Sequence, residues 1–251
     1  MYTKVKTKDE IESMREGGKI LAQILNTLEK RVMPGMTTKD LAEIAKTELR
    51  STGGLPSFLG FQGFPDVICI SINDEVVHGI PSHLKVVNEG DIITFDFGVT
   101  FRSMITDAAI TTIVGKPLKQ SHVKLLRDTK ASLMAGIDVL HSGITTGDIG
   151  AAVQKVLDAG KYGIVRDLVG HGVGHYVHET PNIPNYGHKG SGPSLSAGMT
   201  IAIEPMATLG DYRVTLGDDN WTFRSSDGSY SAHFEHTVLI TDDGYEILTK
   251  V

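Results

Sequence analysis

Two short segments of this chain read almost alike and lie 108 residues apart: Gly35-Met-Thr-Thr-Lys-Asp-Leu41 and Gly143-Ile-Thr-Thr-Gly-Asp-Ile149. A second pair has the same offset. Gly90-Asp-Ile-Ile-Thr-Phe-Asp96 and Gly198-Met-Thr-Ile-Ala-Ile-Glu204 each set a glycine six residues before a carboxylate. Chance supplies either pair alone, but two pairs in the same order at one offset indicate a fold built of two related halves. With 251 residues and no low-complexity linker, the chain is expected to form a single domain around one large core. The halves divide at about 1–120 and 121–251.

Each half has the same coarse order. Thr7-Lys-Asp-Glu10 has the spacing of a capping box and precedes Ile11, Met14, Leu21, Ile24 and Leu28, the three-to-four spacing of an amphipathic helix. Thr37 with Asp40 opens a second helix that turns Leu41, Ile44 and Leu49 inward and stops at the Ser-Thr-Gly-Gly of 51–54. Residues 123–140 and 145–157 repeat the helix pair. Strand patterns follow each pair, at 67–72, 92–100 and 108–114, then at 169–177, 200–208, 212–216 and 233–240. Strands in runs, without strict βαβ alternation, predict an α+β architecture of antiparallel sheet flanked by helix pairs.

Composition excludes several classes of function. A net charge of −6 gives no global attraction to phosphate backbones or anionic lipid, so no nucleic acid is required and no membrane is expected. The single cysteine, Cys69, rules out an intramolecular disulfide framework and suits a reducing compartment. The N-terminus becomes charged at once and lacks the pattern of a signal peptide. A cytoplasmic location is expected.

The most informative stretch is Ile92-Ile-Thr-Phe-Asp96 through Thr106-Asp107, two strand-like runs about a turn at 101–103. A hairpin there brings Asp96 and Asp107 nearly opposite one another. Cβ atoms across such a pair are ~5 Å apart, and like charges in that position destabilise a sheet. A divalent cation held by both would neutralise them; alternatively, one aspartate caps a turn and points to water. Glu204, the repeat counterpart of Asp96, and Glu235 also enter apolar strand patterns, where an unpaired carboxylate is costly to bury. The glycine-rich run Gly170-His-Gly-Val-Gly-His-Tyr-Val-His178 adds His171, His175 and His178. It is no zincin helix, because the glutamate of His-Glu-x-x-His is missing and glycines weaken a helix.

These segments resemble the methionine aminopeptidase branch of the pita-bread metallopeptidases, and the resemblance extends over essentially the whole chain. The family's five metal ligands, in order, match Asp96, Asp107, His171, Glu204 and Glu235. Further matching segments are Ile72-Asn-Asp-Glu-Val-Val-His78-Gly-Ile-Pro81, Glu179 with Pro181, Ile203-Glu-Pro-Met206 and Phe234-Glu-His-Thr237. Only 95 residues precede Asp96, too few for the extra domain of prolidases and Xaa-Pro aminopeptidases, and Glu204 and Glu235 are only 31 apart, which leaves no room for the type II insertion. With no cysteine-rich extension, the short, bacterial-like type I form is expected.

The resemblance implies a pita-bread fold and hydrolytic removal of the N-terminal methionine from nascent proteins and peptides, with a small second residue preferred. It implies two divalent ions (Co, Mn, Fe, Ni or Zn), bridged by Asp107 and Glu235, with Asp96 completing one site and His171 with Glu204 the other. Glu204 would also shuttle a proton, His178 would steady the scissile carbonyl, and His78 would contact the departing amide. The methionine pocket would be lined by Phe58, Phe61, Phe64, Cys69, His78, Val177, His178 and Trp221. Val177 replaces an aromatic residue, Phe58 a small one, and Ser103-Met-Ile-Thr a glycine-containing turn. The expected partners are nascent N-termini, with the ribosome as a further candidate, and the expected state is a monomer. Two other readings remain: a dipeptidase or Xaa-Pro peptidase on the same ligands, and a non-catalytic ribosome- or RNA-binding relative, which would be expected to lose ligands and carry a basic surface.

Overall fold

The computed structural model describes residues 3–250. Helices α1 (Lys8–Arg31), α2 (Thr38–Arg50) and α4 (Thr146–Gly160) each begin at a threonine whose hydroxyl accepts the third helical N–H, with an acidic side chain reaching back to the threonine N–H. These are capping boxes at Thr7/Glu10, Thr37/Asp40 and Thr145/Asp148, and each satisfies two backbone donors that a helix end would otherwise orphan. Helix α3 (Gln120–Asp138) starts without a side-chain cap. The apolar stripe of α1, which includes Leu21, Ile24 and Leu28, packs with Leu41 and Leu49 of α2 over Ile68, Ile70, Phe95 and Phe97. Leu125, Leu133 and Ile137 of α3 pack with Ile149 and Val153 of α4 over Ile201 and Ile203.

The loops entering α2 and α4 make the same backbone contacts at the same spacing. Gly35 N–H donates to Val87 O and Gly143 N–H to Leu195 O, each at 2.8 Å. Single bridges join Thr37 to Val86 and Thr145 to Ser194. Gly35 and Gly143 adopt φ of 91° and 92°, a conformation that glycine tolerates at little cost.

The sheets are antiparallel. The hairpin of Ile92–Phe101 and Met104–Ile113 is extended by Cys69–Ile72 on the free side of its first strand. A five-stranded sheet has the order Tyr245–Ile247, His236–Ile240, Thr200–Ile203, Gly170–Gly172, Glu179–Ile183. A smaller sheet pairs Ser231–His233 with Met206–Thr208, and the latter with Gly163–Ile164.

Several expected strands are divided. The apolar run 200–208 breaks at Glu204-Pro205 and the run 233–240 at Phe234-Glu235, and the two pieces of each run lie in different sheets. Pro205 lacks the N–H a ladder needs, so an interruption there is physically required. The run 169–177 is strand only over Gly170–Gly172 and then bends. Glu179–Ile183 is a strand the pattern did not announce; its Pro181 is tolerated because this strand forms the sheet edge. The hairpin turn is two residues long, Arg102 and Ser103, with Phe101 opposite Met104.

Candidate metal centre

Asp96 and Asp107 sit on the two strands of the hairpin, but not directly across from each other. Asp96 pairs with Ala109 and Asp107 with Gly98, so the carboxylates are diagonal neighbours on one face. Gly98 leaves room for the Phe58 ring, which would lie 2.7 Å from a Cβ at that position. His171 comes from the middle of Gly170–Gly172. Glu204 and Glu235 occupy the two strand breaks. The flanking pairs, Ile203 with His236 and Met206 with His233, place them facing across the interrupted ladder, each freed from the regular pleat to turn toward the hairpin.

Asp107, His171 and Glu235 are buried, and each offers a ligand atom within 4.8 Å of the others. His171 Nδ1 lies 2.9 Å from the carbonyl of Gly172; a carbonyl only accepts, so Nδ1 carries the proton and Nε2 presents its lone pair. That nitrogen faces Glu204 Oε1 at 3.3 Å. Burial lowers the His171 pKa to about 3, so a second imidazole proton does not supply the missing positive charge. Burial raises Asp96 to about 7. Burial and repulsion from the neighbouring carboxylates push Asp107, Glu204 and Glu235 well above the ordinary range. Buried oxygens of Asp96, Asp107 and Glu235 have no hydrogen-bond partner among the described residues. Acceptors converging without donors are what cations neutralise, and mixed carboxylate and imidazole ligands suit divalent transition metals. The residues therefore fit a metal centre.

The centre opens into a cavity of about 440 Å³, lined by all five expected metal ligands and by every residue expected in the methionine pocket. Phe58, Phe64, Cys69 and Val177 form a buried apolar wall against which Phe61 and Trp221 pack. The Phe64 and Trp221 rings meet edge to face at 5.1 Å. Burial pushes the Cys69 thiol well up, which makes it an apolar wall rather than a nucleophile. His178 stands edge-on to His171 at 4.3 Å and to Phe61 at 5.4 Å. His78 has φ of 59°, a left-handed conformation that is costly for a side chain bearing a Cβ and that collects at functional sites. Burial lowers its pKa to about 4 and also lowers that of His178, so both rings are neutral near pH 7. His175 turns away from the cavity and meets Glu10 at 2.8 Å.

Sequence reasoning missed His233. Its Nε2 lies 3.8 Å from Glu204 and 4.0 Å from Glu235, and neither ring nitrogen has a partner among the described residues. Its one signal in the sequence was nearness to Glu235 in the chain, because the strand breaks between His233 and Glu235 and its two-residue period does not run through them. Gln62, Asn182 and Met206 also line the cavity.

Metallopeptidase family M24 matches residues 12–242. A methionine aminopeptidase of Clostridium acetobutylicum is 45% identical over 245 residues, 98% of each chain. Methionine aminopeptidase 1 of Bacillus subtilis is 42% identical over 246 residues, again 98% of each. The crystal structure of a methionine aminopeptidase from Thermotoga maritima superposes with a TM-score of 0.97 at 42% identity, covering 99% of this chain and 100% of that one. Full-length likeness in sequence and fold coincides with a cluster of buried acceptors suited to divalent ions: the chain has the pita-bread fold and belongs to metallopeptidase family M24.

Proposed function

We propose that this chain is a dinuclear-metal aminopeptidase that removes the N-terminal methionine from nascent proteins and peptides, working as a cytoplasmic monomer and preferring a small second residue. The observation that carries the reading is the meeting of two unlike surfaces in one cavity: converging acceptors on one side, and the apolar wall of Phe58, Phe64, Cys69, Val177 and Trp221 on the other. A thioether suits such aromatic walls. The likeness to methionine aminopeptidases supports the same substrate and the small second residue. A cavity complete within one chain supports the monomer, and one buried free thiol supports a reducing compartment.

Asp96, Asp107, His171, Glu204 and Glu235 are the proposed ligands. Four carboxylates and one neutral imidazole carry a formal −4, which favours two divalent ions drawn from Co, Mn, Fe, Ni and Zn. Bound there, they supply Lewis acidity, acidifying the attacking water and polarising the scissile carbonyl. The protein's own groups do the rest. Glu204, whose affinity for a proton is raised by burial and by Asp107, takes the water's proton and delivers it to the leaving amide nitrogen. Neutral His178 donates to the carbonyl oxygen as negative charge develops, and neutral His78 contacts the departing amide. We read the whole as one domain of two halves, about 1–120 and 121–251, supported by the loop bonds repeated at one spacing.

The test is kcat/KM on one peptide series with Met, norleucine, Leu, Ala or Lys first and Ala second, together with a Gly-Pro substrate, in protein of measured metal content. Chelation should abolish hydrolysis and Mn, Co or Fe should restore it. Norleucine should remain a weaker substrate, because its apolar area survives, while Lys should fail, because its charge would be buried unpaired. Full activity in protein shown to be metal-free, or a preference for Gly-Pro, overturns the reading.

A further inference from the structure

Residues 3–7 lie across the loop that carries Val177 and His178. Lys6 and Glu179 form an ion pair of 3.1 Å with both side chains essentially inaccessible to water, at 0% and 1%. The ammonium donates to three acceptors, Glu179 Oε2, Thr3 Oγ1 and the Lys4 carbonyl, each at 3.1 Å, so its three donors are all used. The second oxygen of Glu179 accepts the N–H groups of His175 at 2.7 Å and Tyr176 at 3.1 Å. One carboxylate therefore clamps both ends of the loop from 175 to 179. The segment is fixed at either side: Thr3 N–H donates to Thr180 O at 2.5 Å, Lys6 N–H to Gly198 O at 2.8 Å, and Glu10, in the first turn of α1, meets His175 at 2.8 Å. Lys6 passes so close to Gly174 that a Cβ there would lie 2.4 Å from its Cε.

A buried ion pair is a poor way to gain stability, since an apolar pair of similar volume serves as well or better; what it adds is one geometry. We propose that Lys6 and Glu179 are positioning residues: the N-terminal segment is a latch that, through the Glu179 carboxylate, sets the loop on which Val177 faces the P1 side chain and His178 faces the scissile carbonyl. This rests on the roles proposed above for those two residues.

The test uses K6M, E179Q and the double variant K6M/E179M in metal-loaded, full-length protein. K6M strands a buried carboxylate and lowers stability; the double variant removes that unpaired charge and recovers stability lost in K6M, while the His175 and Tyr176 amides lose their acceptor. If the pair only holds the fold together, activity returns with stability. If it positions the loop, the double variant is stable yet its kcat per metal-loaded site stays roughly 10- to 100-fold low, the size of effect a displacement of ~1 Å produces. The ratio of kcat/KM for Met over Leu should fall in parallel, because Val177 is on the same loop, and the amides of His175 and Tyr176 should exchange faster with solvent. Wild-type kcat and Met/Leu ratio in the double variant overturn the latch. So does a loss of activity that simply follows lost metal. Absence of Met-peptide hydrolysis by the wild-type protein would instead sink the proposed function.

Discussion

The proton on His171 is placed by a single backbone carbonyl. Because Gly172 O occupies Nδ1, Nε2 is left as a bare acceptor beside Glu204, and the pair needs either a cation between them or a proton on the Glu204 carboxyl. His178, whose ring contacts the edge of His171 rather than joining the carboxylates, is a different case. His178→Ala should lower kcat roughly 10²–10³-fold, the loss typical of a removed oxyanion donor, with metal content unchanged by elemental analysis; loss of both metals would make it a ligand. The carboxylates also predict a pH dependence for metal-stripped protein. From pH 7 to 8 the unfolded carboxyls, titrating near ~4, are fully ionised and unfolded histidines are mostly neutral. The folded Asp96, raised by burial to about 7, still holds part of a proton over this range, and burial shifts Asp107, Glu204 and Glu235 in the same direction. The folded state binds more protons, so its stability falls as pH rises. Below about 6.5 the lowered pKa values of His78, His171 and His233 act oppositely, because the unfolded imidazoles take up protons that the folded ones refuse. The urea midpoint of stripped protein should therefore drop between pH 7 and 8, and saturating metal should remove the drop; a rising midpoint would contradict the assignment.

Elements place these residues through their interruptions as much as their regular parts. In the central hairpin both turn residues, Arg102 at φ 47° and Ser103 at φ 67°, have the positive φ of a type I′ turn, which favours Asn and Gly. Ser103→Gly should relieve part of the ~1–2 kcal/mol that a left-handed residue costs, raising unfolding stability by about 0.5–1 kcal/mol in urea and leaving kcat within about twofold. A destabilised Ser103→Gly would mean that the hydroxyl, not the backbone, sets the turn. The helices were legible because capping boxes and apolar spacing are local: Thr7, Thr37 and Thr145 begin where the sequence says. The strands at 200–208 and 233–240 read as continuous because apolar residues stand on both sides of Glu204 and Glu235, yet each bends between sheets at that glutamate. Pro205 was the visible sign for the first bend. Nothing local marks Phe234-Glu235, whose bend follows from facing Glu204 across the ladder. The diagonal rather than opposite relation of Asp96 and Asp107 likewise depends on which two residues form the turn, and a shift of one residue there changes every partner.

At the scale of the whole molecule, the proposed ligands come from both of the proposed halves, Asp96 and Asp107 from the first and His171, Glu204 and Glu235 from the second, so the joint between 1–120 and 121–251 passes through the site. Beside the candidate metal centre that joint is bridged by hydroxyls and backbone, while Met14 and Met104 pack with Val173, Ala202 and Leu239 elsewhere along it. Ala109 and Glu235 exchange N–H to O bonds at 3.4 and 2.9 Å. On one side of them Thr111 Oγ1 donates to His233 O at 2.5 Å and accepts from His233 N–H at 3.0 Å. On the other, Thr237 Oγ1 accepts from Asp107 N–H at 2.9 Å and donates to Asp107 O at 2.8 Å. Two threonine side chains thus extend, on either side, the direct backbone pairing of Ala109 with Glu235. No sequence pattern announces this, because the partners lie more than a hundred residues apart and each threonine alone is an ordinary strand residue. Thr237→Val keeps the shape of a fully buried side chain and removes only the hydroxyl, leaving both backbone groups of Asp107 without that partner. An orphaned buried group costs ~1–3 kcal/mol, so the variant should lose about 2–3 kcal/mol in urea unfolding. Asp107 is also a proposed metal ligand, and losing the group that orients a ligand typically weakens metal binding about 10- to 100-fold. Thr215→Val, on an exposed strand, should stay within about 0.5 kcal/mol of wild type and keep its metal affinity. If the two variants match in unfolding midpoint and metal affinity, Thr237 does not join the halves, and the metal centre owes its geometry to each half separately.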